Sequence, residues 1–157
     1  MTSPTPPPRP VRADDETTWS GLPADLRDEF DRQTHNPCVG QVLLSEGPRA
    51  RVWYIRLKPG ERLGFHRHVL DYFWTALTAG EAVSHIQGGP PKGARYAAGE
   101  TRHLRFGPGE SMIHDLQNVG STDLVFVTVE HVESANAPLP IPPGVHPRGL
   151  DGDVTQP

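Results

Sequence analysis

From Val39 onward the chain is a succession of short segments in which apolar and polar residues alternate: "VGQVLLSEG", "RVWYIRLKPGE", "RLGFHRH", "YFWTALTAGEAVSHI", "ARYAAGETRHLRF" and "DLVFVTVEHVE". Glycine, proline or another turn former separates one segment from the next. A period of two sends successive side chains to opposite faces, which is the pattern of a strand with one buried side. No helical spacing intervenes. Six or more short antiparallel strands in succession predict a sandwich or barrel in which alternate residues point inward, and the predicted barrel spans residues 39–133.

The sequence before it is different. "SGLPADLRDEFDRQ" reads as a helix: Ser20 is a candidate cap, Pro23 suits the first turn, and Leu22, Leu26 and Phe30 recur on one face. Residues 17–38 therefore form a helical lead-in that should lie against the barrel. The two ends, 1–16 and 134–157, contain "SPTPPPRPVR" and "APLPIPPGVHPRG", compositions that cannot build a core of their own. They are expected to be flexible or surface-draped arms. A chain of 157 residues with 35% hydrophobic content suits a single modest core.

Charge narrows the function classes. A net charge of -4, with 15 basic and 19 acidic residues well mixed, offers no basic footprint for nucleic acid or for an anionic membrane. Small-molecule chemistry is the expectation. Cys38 is the single cysteine, so no internal disulfide can form, and no apolar run has the length of a membrane span. The expected location is the cytoplasm.

Within the predicted barrel, "GFHRHVLDYF" places His66 and His68 two residues apart on one strand face, where both imidazoles can reach one ion. A His-x-His pair alone is a weak signal. A third donor follows in "GPGESMIHDLQN", where Pro108 and Gly109 make a turn, His114 comes next and Asn118 lies four residues later. His66, His68 and His114 together form a candidate metal site of three nitrogen donors. His85, His103 and His131 read as ordinary strand positions, although His103 would join the site if its strand turned inward. His35 and His146 fall outside the barrel.

These residues resemble the two motifs of the cupin superfamily. The first motif is a glycine, five residues, His-x-His, three or four residues, a glutamate and a later glycine, and Gly60, His66, His68 and Gly80 match it. Gly99, Pro108, His114 and Asn118 approximate the second. "HRHVLDYFWTALTAG" is similar to the small single-domain cupins with an HRHxxDY signature, including β-alanine degradation protein-like members. The resemblance covers about residues 40–131 and implies an all-β double-stranded β-helix, or jelly-roll, barrel.

Two departures from the motifs bear on the site. The family glutamate should fall at position 72 or 73, where this chain has Tyr72 and Phe73, and the nearest carboxylate, Asp71, is one residue early. In the second motif Pro108 is followed at once by Gly109, and His114 lies one position further on than expected. An insertion at the turn would absorb that shift. If the strand runs straight, Tyr72 faces inward with the histidines and Asp71 faces away; a hairpin through Val69 and Leu70 would reverse this. Asp71 as ligand or hydrogen-bond acceptor and Tyr72 as pocket hydroxyl therefore both stand as candidates.

Trp74 shares parity with Tyr72 and could wall a pocket. Arg56 and Arg105 read as solvated outer positions, with a substrate carboxylate as the alternative partner, and Glu110 as a loop carboxylate. No nucleophile elbow and no phosphate-binding glycine loop with a lysine is present.

Three neutral imidazoles with open coordination positions suit one Fe(II), Zn(II), Mn(II), Ni(II) or Cu(II) per chain, and the resemblance favours Fe(II). With iron, an oxygenase-type reaction (oxidoreductase, dioxygenase-like) on a small organic metabolite is the expectation. With zinc, Lewis-acid cyclisation or isomerisation is the alternative. A cupin that binds a metal or small molecule without turnover is the third reading. The resemblance, the outward parity of Phe73 and Leu77 and the proline-rich arms together suggest a homodimer.

Overall fold

The computed structural model describes residues 22–157 and the backbone of residues 11–12. The rest of the predicted arm over 1–16 and the Ser20 cap lie outside the described residues. In chain order the elements are β1 (Val11–Arg12), α1 (Ala24–Arg32), β2 (Val42–Glu46), β3 (Ala50–Leu57), β4 (Arg62–His68) and β5 (Tyr72–Ala76). They continue with β6 (Gly80–His85), β7 (Pro91–Tyr96), β8 (Thr101–Leu104), β9 (Glu110–Asn118) and β10 (Leu124–His131).

The strands form two five-stranded antiparallel sheets. One has the order β2-β3-β10-β5-β8; the other runs β1-β9-β6-β7, with β4 also paired to β9. Apart from the hairpins β2–β3 and β6–β7, each strand lies in the other sheet from the one before it, so the two wind round a shared interior as the jelly-roll, double-stranded β-helix barrel that the cupin motifs imply. Alternation supplies the lining. On β10, Leu124, Phe126, Thr128 and Glu130 are buried while the residues between them are less so. Leu57, Ala76, Leu124 and Phe126 close one end of the barrel with Ile55, Ala82 and Leu116. Truncating a leucine there to alanine would cost about 2–5 kcal/mol.

β4 departs from simple alternation at one place. Leu63 pairs with Leu116 and His66 with His114, so β4 carries one residue more than β9 between these pairs. The bulge lets Leu63 face the interior from an odd position and His66 and His68 from even ones. Outward from the same strands, Phe65 and Ile113 pack under α1 against Leu22 and Phe30, with the Phe30 and Phe65 rings edge to face at 5.1 Å. The helix is therefore built on the backs of the histidine strands. Glu29 adds a two-pronged clamp on Arg62, at 2.9 and 2.7 Å, and this partner holds the Glu29 carboxyl below its usual range. Arg62 Nε also donates to the buried Asp115 at 2.8 Å.

Of the two readings of the C-terminal segment, its described residues follow the surface-draped one. Ile141 and Val145 pack over Cys38, Val39, Leu43 and Trp53, while Arg148 N donates to Leu43 O at 2.9 Å. The Asn136 amide donates to Val69 O and Gly107 O, each at 3.0 Å, and its oxygen accepts from Gly109 N at 2.8 Å. One side chain thus ties the corner after His68 to the turn that leads into β9.

Asn118, the last residue of the second motif, is fully buried. Its amide donates to Leu57 O and Thr122 O at 2.8 Å each, and its oxygen accepts from Gly120 N at 2.9 Å. It holds the loops at the end of β9. Gly60, at φ +86°, makes the turn before β4, a conformation that residues with a side chain rarely adopt.

Candidate metal centre

His66 and His114 face one another across the β4–β9 pair, and His68 follows two residues along β4 on the same face. The three ring centroids lie 4.6 to 5.1 Å apart. Each ring offers one nitrogen to a common centre, these atoms all within 4.8 Å of one another, and His68 Nε2 is 3.1 Å from His114 Nε2. Two ligands at about 2.1 Å from one ion and at right angles to each other would stand about 3.0 Å apart. His66 Nδ1 lies 2.9 Å from Gly64 O, so as donor to that carbonyl it leaves Nε2 with a free lone pair.

The histidines are assembled at a cost that a cation would offset. His66 and His68 are 2% exposed, and His68 Nδ1 has no hydrogen-bond partner among the described residues. Burial lowers the pKa of all three, His66 to about 4, and His68 and His114 are lowered further by their histidine neighbours. Neutral imidazoles are the form a metal binds. The residues therefore fit one divalent transition metal, and three histidines at this spacing could hold it.

Acid should unfold the metal-free protein for the same reason. Between pH 6.5 and about 4 the unfolded chain protonates histidines that the fold keeps neutral, so the unfolded state binds more protons and stability falls as the pH drops. Glu130 opposes this. Burial raises its pKa to about 7 from 4.5 despite a hydrogen bond from Trp53 Nε1 at 2.9 Å, so the fold gains stability as Glu130 takes up its proton. Three histidines outweigh one carboxyl. The thermal midpoint of metal-free protein is expected to decline below pH 6.5, and more steeply in Glu130→Gln; a flat profile down to pH 4 would contradict it.

Tyr72 lies beside the histidines. The corner through Val69 and Leu70 carries the chain from one sheet to the other, yet Tyr72 still faces inward, its ring stacked on His68 at 4.1 Å and 12°. Its hydroxyl makes no hydrogen bond among the described residues, and burial pushes its pKa up, so it stays protonated. Asp71 has another neighbourhood: its carboxylate accepts from Phe106 N at 2.8 Å and its own N–H donates to Ser134 Oγ at 2.9 Å. It is neither in the histidine cluster nor on the cavity wall.

The histidines open into a cavity of about 310 Å³ between the two sheets. This lies at the low end of small-molecule sites, roughly 300–1,000 Å³. Trp74, Tyr96 and Phe126 form a three-ring wall, each pair edge to face at 4.9 to 5.4 Å. Lys92, Arg95 and Arg102 also line the cavity, and among the described residues no carboxylate does.

The remaining candidates lie elsewhere. His103 packs at a tilt against Phe73 on the outer face at 5.2 Å, as does His131 at 5.9 Å, so His103 does not join the site. His85 Nδ1 is 3.0 Å from Asp115. Arg56 pairs with Asp123 at the surface, and Arg105 is exposed. Arg102 was not a sequence candidate, although it shares inward parity with Leu104 on β8.

No family model matches the sequence, and no curated protein matches it. Solved structures do resemble the chain. A cupin domain from Bordetella pertussis is 23% identical over 59% of this chain and 95% of that one, with a TM-score of 0.49. A protein with a double-stranded β-helix domain from Klebsiella pneumoniae is 22% identical over 71% and 90%, with a TM-score of 0.47. A predicted oxalate decarboxylase from Thermotoga maritima is 32% identical over 50% and 63%, with a TM-score of 0.37.

Proposed function

We propose that this chain is a metal-dependent enzyme of the cupin type that holds one divalent transition metal on His66, His68 and His114 and acts, in an oxygenase-type reaction, on a small organic molecule. The observation that carries this reading is the convergence of three neutral imidazoles, His66 and His68 buried and His114 half-buried, on the wall of a cavity. When bound, the metal supplies coordination positions for dioxygen chemistry if it is iron, or Lewis acidity if it is zinc.

The chain's own residues would do the rest. The Trp74, Tyr96 and Phe126 wall excludes water and orients an apolar body against the histidines. Tyr72, neutral and without another partner, donates a hydrogen bond or a proton to the reacting end of the substrate. That placement also favours a second reading, Lewis-acid cyclisation or isomerisation, in which a protonated hydroxyl beside the reacting atoms is the residue the chemistry needs.

Chelated protein reloaded with Fe(II) and separately with Zn(II) separates the readings. Substrate-dependent oxygen uptake by the iron form alone supports the oxygenase. Turnover by the zinc form without oxygen supports the Lewis-acid enzyme. Metal and ligand binding with no turnover in either form leaves a non-catalytic binder.

Leu77 is 50% exposed, and Phe73 lies on the same outer face of β5 between His103 and His131. We propose that this face pairs two copies of the chain. Sedimentation at micromolar concentration is expected to give twice 17.2 kDa, and a single species of 17.2 kDa would exclude the dimer.

A further inference from the structure

We propose that the cavity selects an organic carboxylate with an apolar body, its carboxylate held by Arg102 with the Tyr96 hydroxyl, and its other end directed to the histidines. The inference deepens the reading of this cavity as a substrate site. It rests on the lining, which among the described residues holds three basic side chains, three histidines and no carboxylate, Glu100 and Glu81 pairing with Arg102 and Arg95 from outside it. A metal held by three neutral imidazoles would keep its full double charge, since no anionic ligand stands among them. An anion is the complement such a site lacks.

Arg102 is the residue built for the contact. Its guanidinium lies over the Trp74 ring at 5.9 Å, and its side chain is 18% exposed. Glu100 engages its Nε at 3.2 Å, which fixes the plane, while its two terminal nitrogens make no hydrogen bond among the described residues. A planar fork with free donors beside an aromatic wall is the arrangement that receives a carboxylate. Arg95 is already paired with Glu81 at the rim, its side chain 77% exposed, and contributes field rather than contact.

Position sets the length of the ligand. On β8, Arg102 is two residues from Leu104, and Leu104 pairs with Tyr72, the residue stacked on His68. Two residues of strand span about 7 Å, so the two polar ends of the cavity are separated by roughly the length of a substituted ring. Trp74 pairs with Arg102 across the strands, and Tyr96 and Phe126 pack edge to face on it, so the three rings give the cavity its apolar surface at the Arg102 end. A compact dianion would leave that wall unused.

Calorimetric titration of metal-free protein tests this independently of the metal reading. The probes are benzoate, cinnamate and cyclohexanecarboxylate, their neutral amides, and acetate. We expect saturable binding of at least one ring carboxylate, weaker binding of its amide and of acetate, and a loss of roughly tenfold or more in Arg102→Gln. Arg102→Lys should retain part of the affinity. Circular dichroism confirms that each variant is folded. No saturable carboxylate binding at millimolar concentration, equal affinity for carboxylate and amide, or an unchanged affinity in Arg102→Gln would overturn the proposal. Metal stoichiometry, measured separately, is untouched by any of these outcomes, so a failed metal site and a failed anion site are told apart.

Discussion

Replacing His66 or His114 by alanine is expected to reduce bound metal from about one ion per chain to near zero at micromolar protein. Each ring provides one of three convergent donors, so removing one leaves two nitrogens and no nearby carboxylate to take its place. Loss of a residue that merely supports a ligand costs 10–100-fold in affinity, and loss of a ligand itself should exceed about 100-fold. The buried positions make folding a concern, since His66 is 2% exposed. His114→Ala, at a half-buried position facing the cavity, is the gentler variant. Unchanged metal content in folded His66→Ala and His114→Ala would remove both residues from the site.

The second large effect concerns the two residues at the place of the family carboxylate. Tyr72→Phe is expected to keep the metal and lose turnover by about 10²–10⁴-fold, the usual contribution of a positioned proton donor. The stacking on His68 survives the change because phenylalanine keeps the ring. Asp71→Ala should act on the fold instead. It removes the acceptor for Phe106 N, and leaving that amide unpaired costs about 1–3 kcal/mol of stability. Melting temperature, metal content and turnover measured on both variants distinguish the two roles. Loss of metal in folded Asp71→Ala, with Tyr72→Phe fully active, would reverse the assignment.

Alternation made much of this site legible before any coordinates. The inward parity of His66, His68, Tyr72 and Trp74 follows from counting by two, and the corner at Val69 and Leu70 preserves it because the chain crosses between sheets there rather than folding back as a hairpin. The histidine pairing across β4 and β9 needed the bulge near Gly64, which alternation alone does not reveal. Arg102 and Glu130 were hidden for a different reason. Both have inward parity, but a charged residue in an alternating strand reads as a solvent position, and only three-dimensional partners show otherwise: Trp74 and Glu100 for Arg102, Trp53 for Glu130.

The C-terminal segment shows where composition stops informing. Proline content excluded a core within residues 134–157 but carried no information on what they lie against. Ser134 and Asn136 reach the corner between β4 and β5, and Ile141 and Val145 cover Trp53 and its neighbours. These contacts are polar and apolar matches between segments distant in sequence, and no local pattern encodes them.

The proposed site holds one metal on three imidazoles and on no carboxylate of this chain. X-ray absorption at the metal edge of the zinc-loaded protein measures this directly. Three imidazole nitrogens are expected at about 2.0–2.1 Å, recognised by the outer-shell scattering of the rings, with exchangeable oxygen completing the sphere. The same spectrum is expected from Asp71→Ala. A first sphere with fewer than three imidazoles, or an oxygen ligand that disappears in Asp71→Ala, would contradict it.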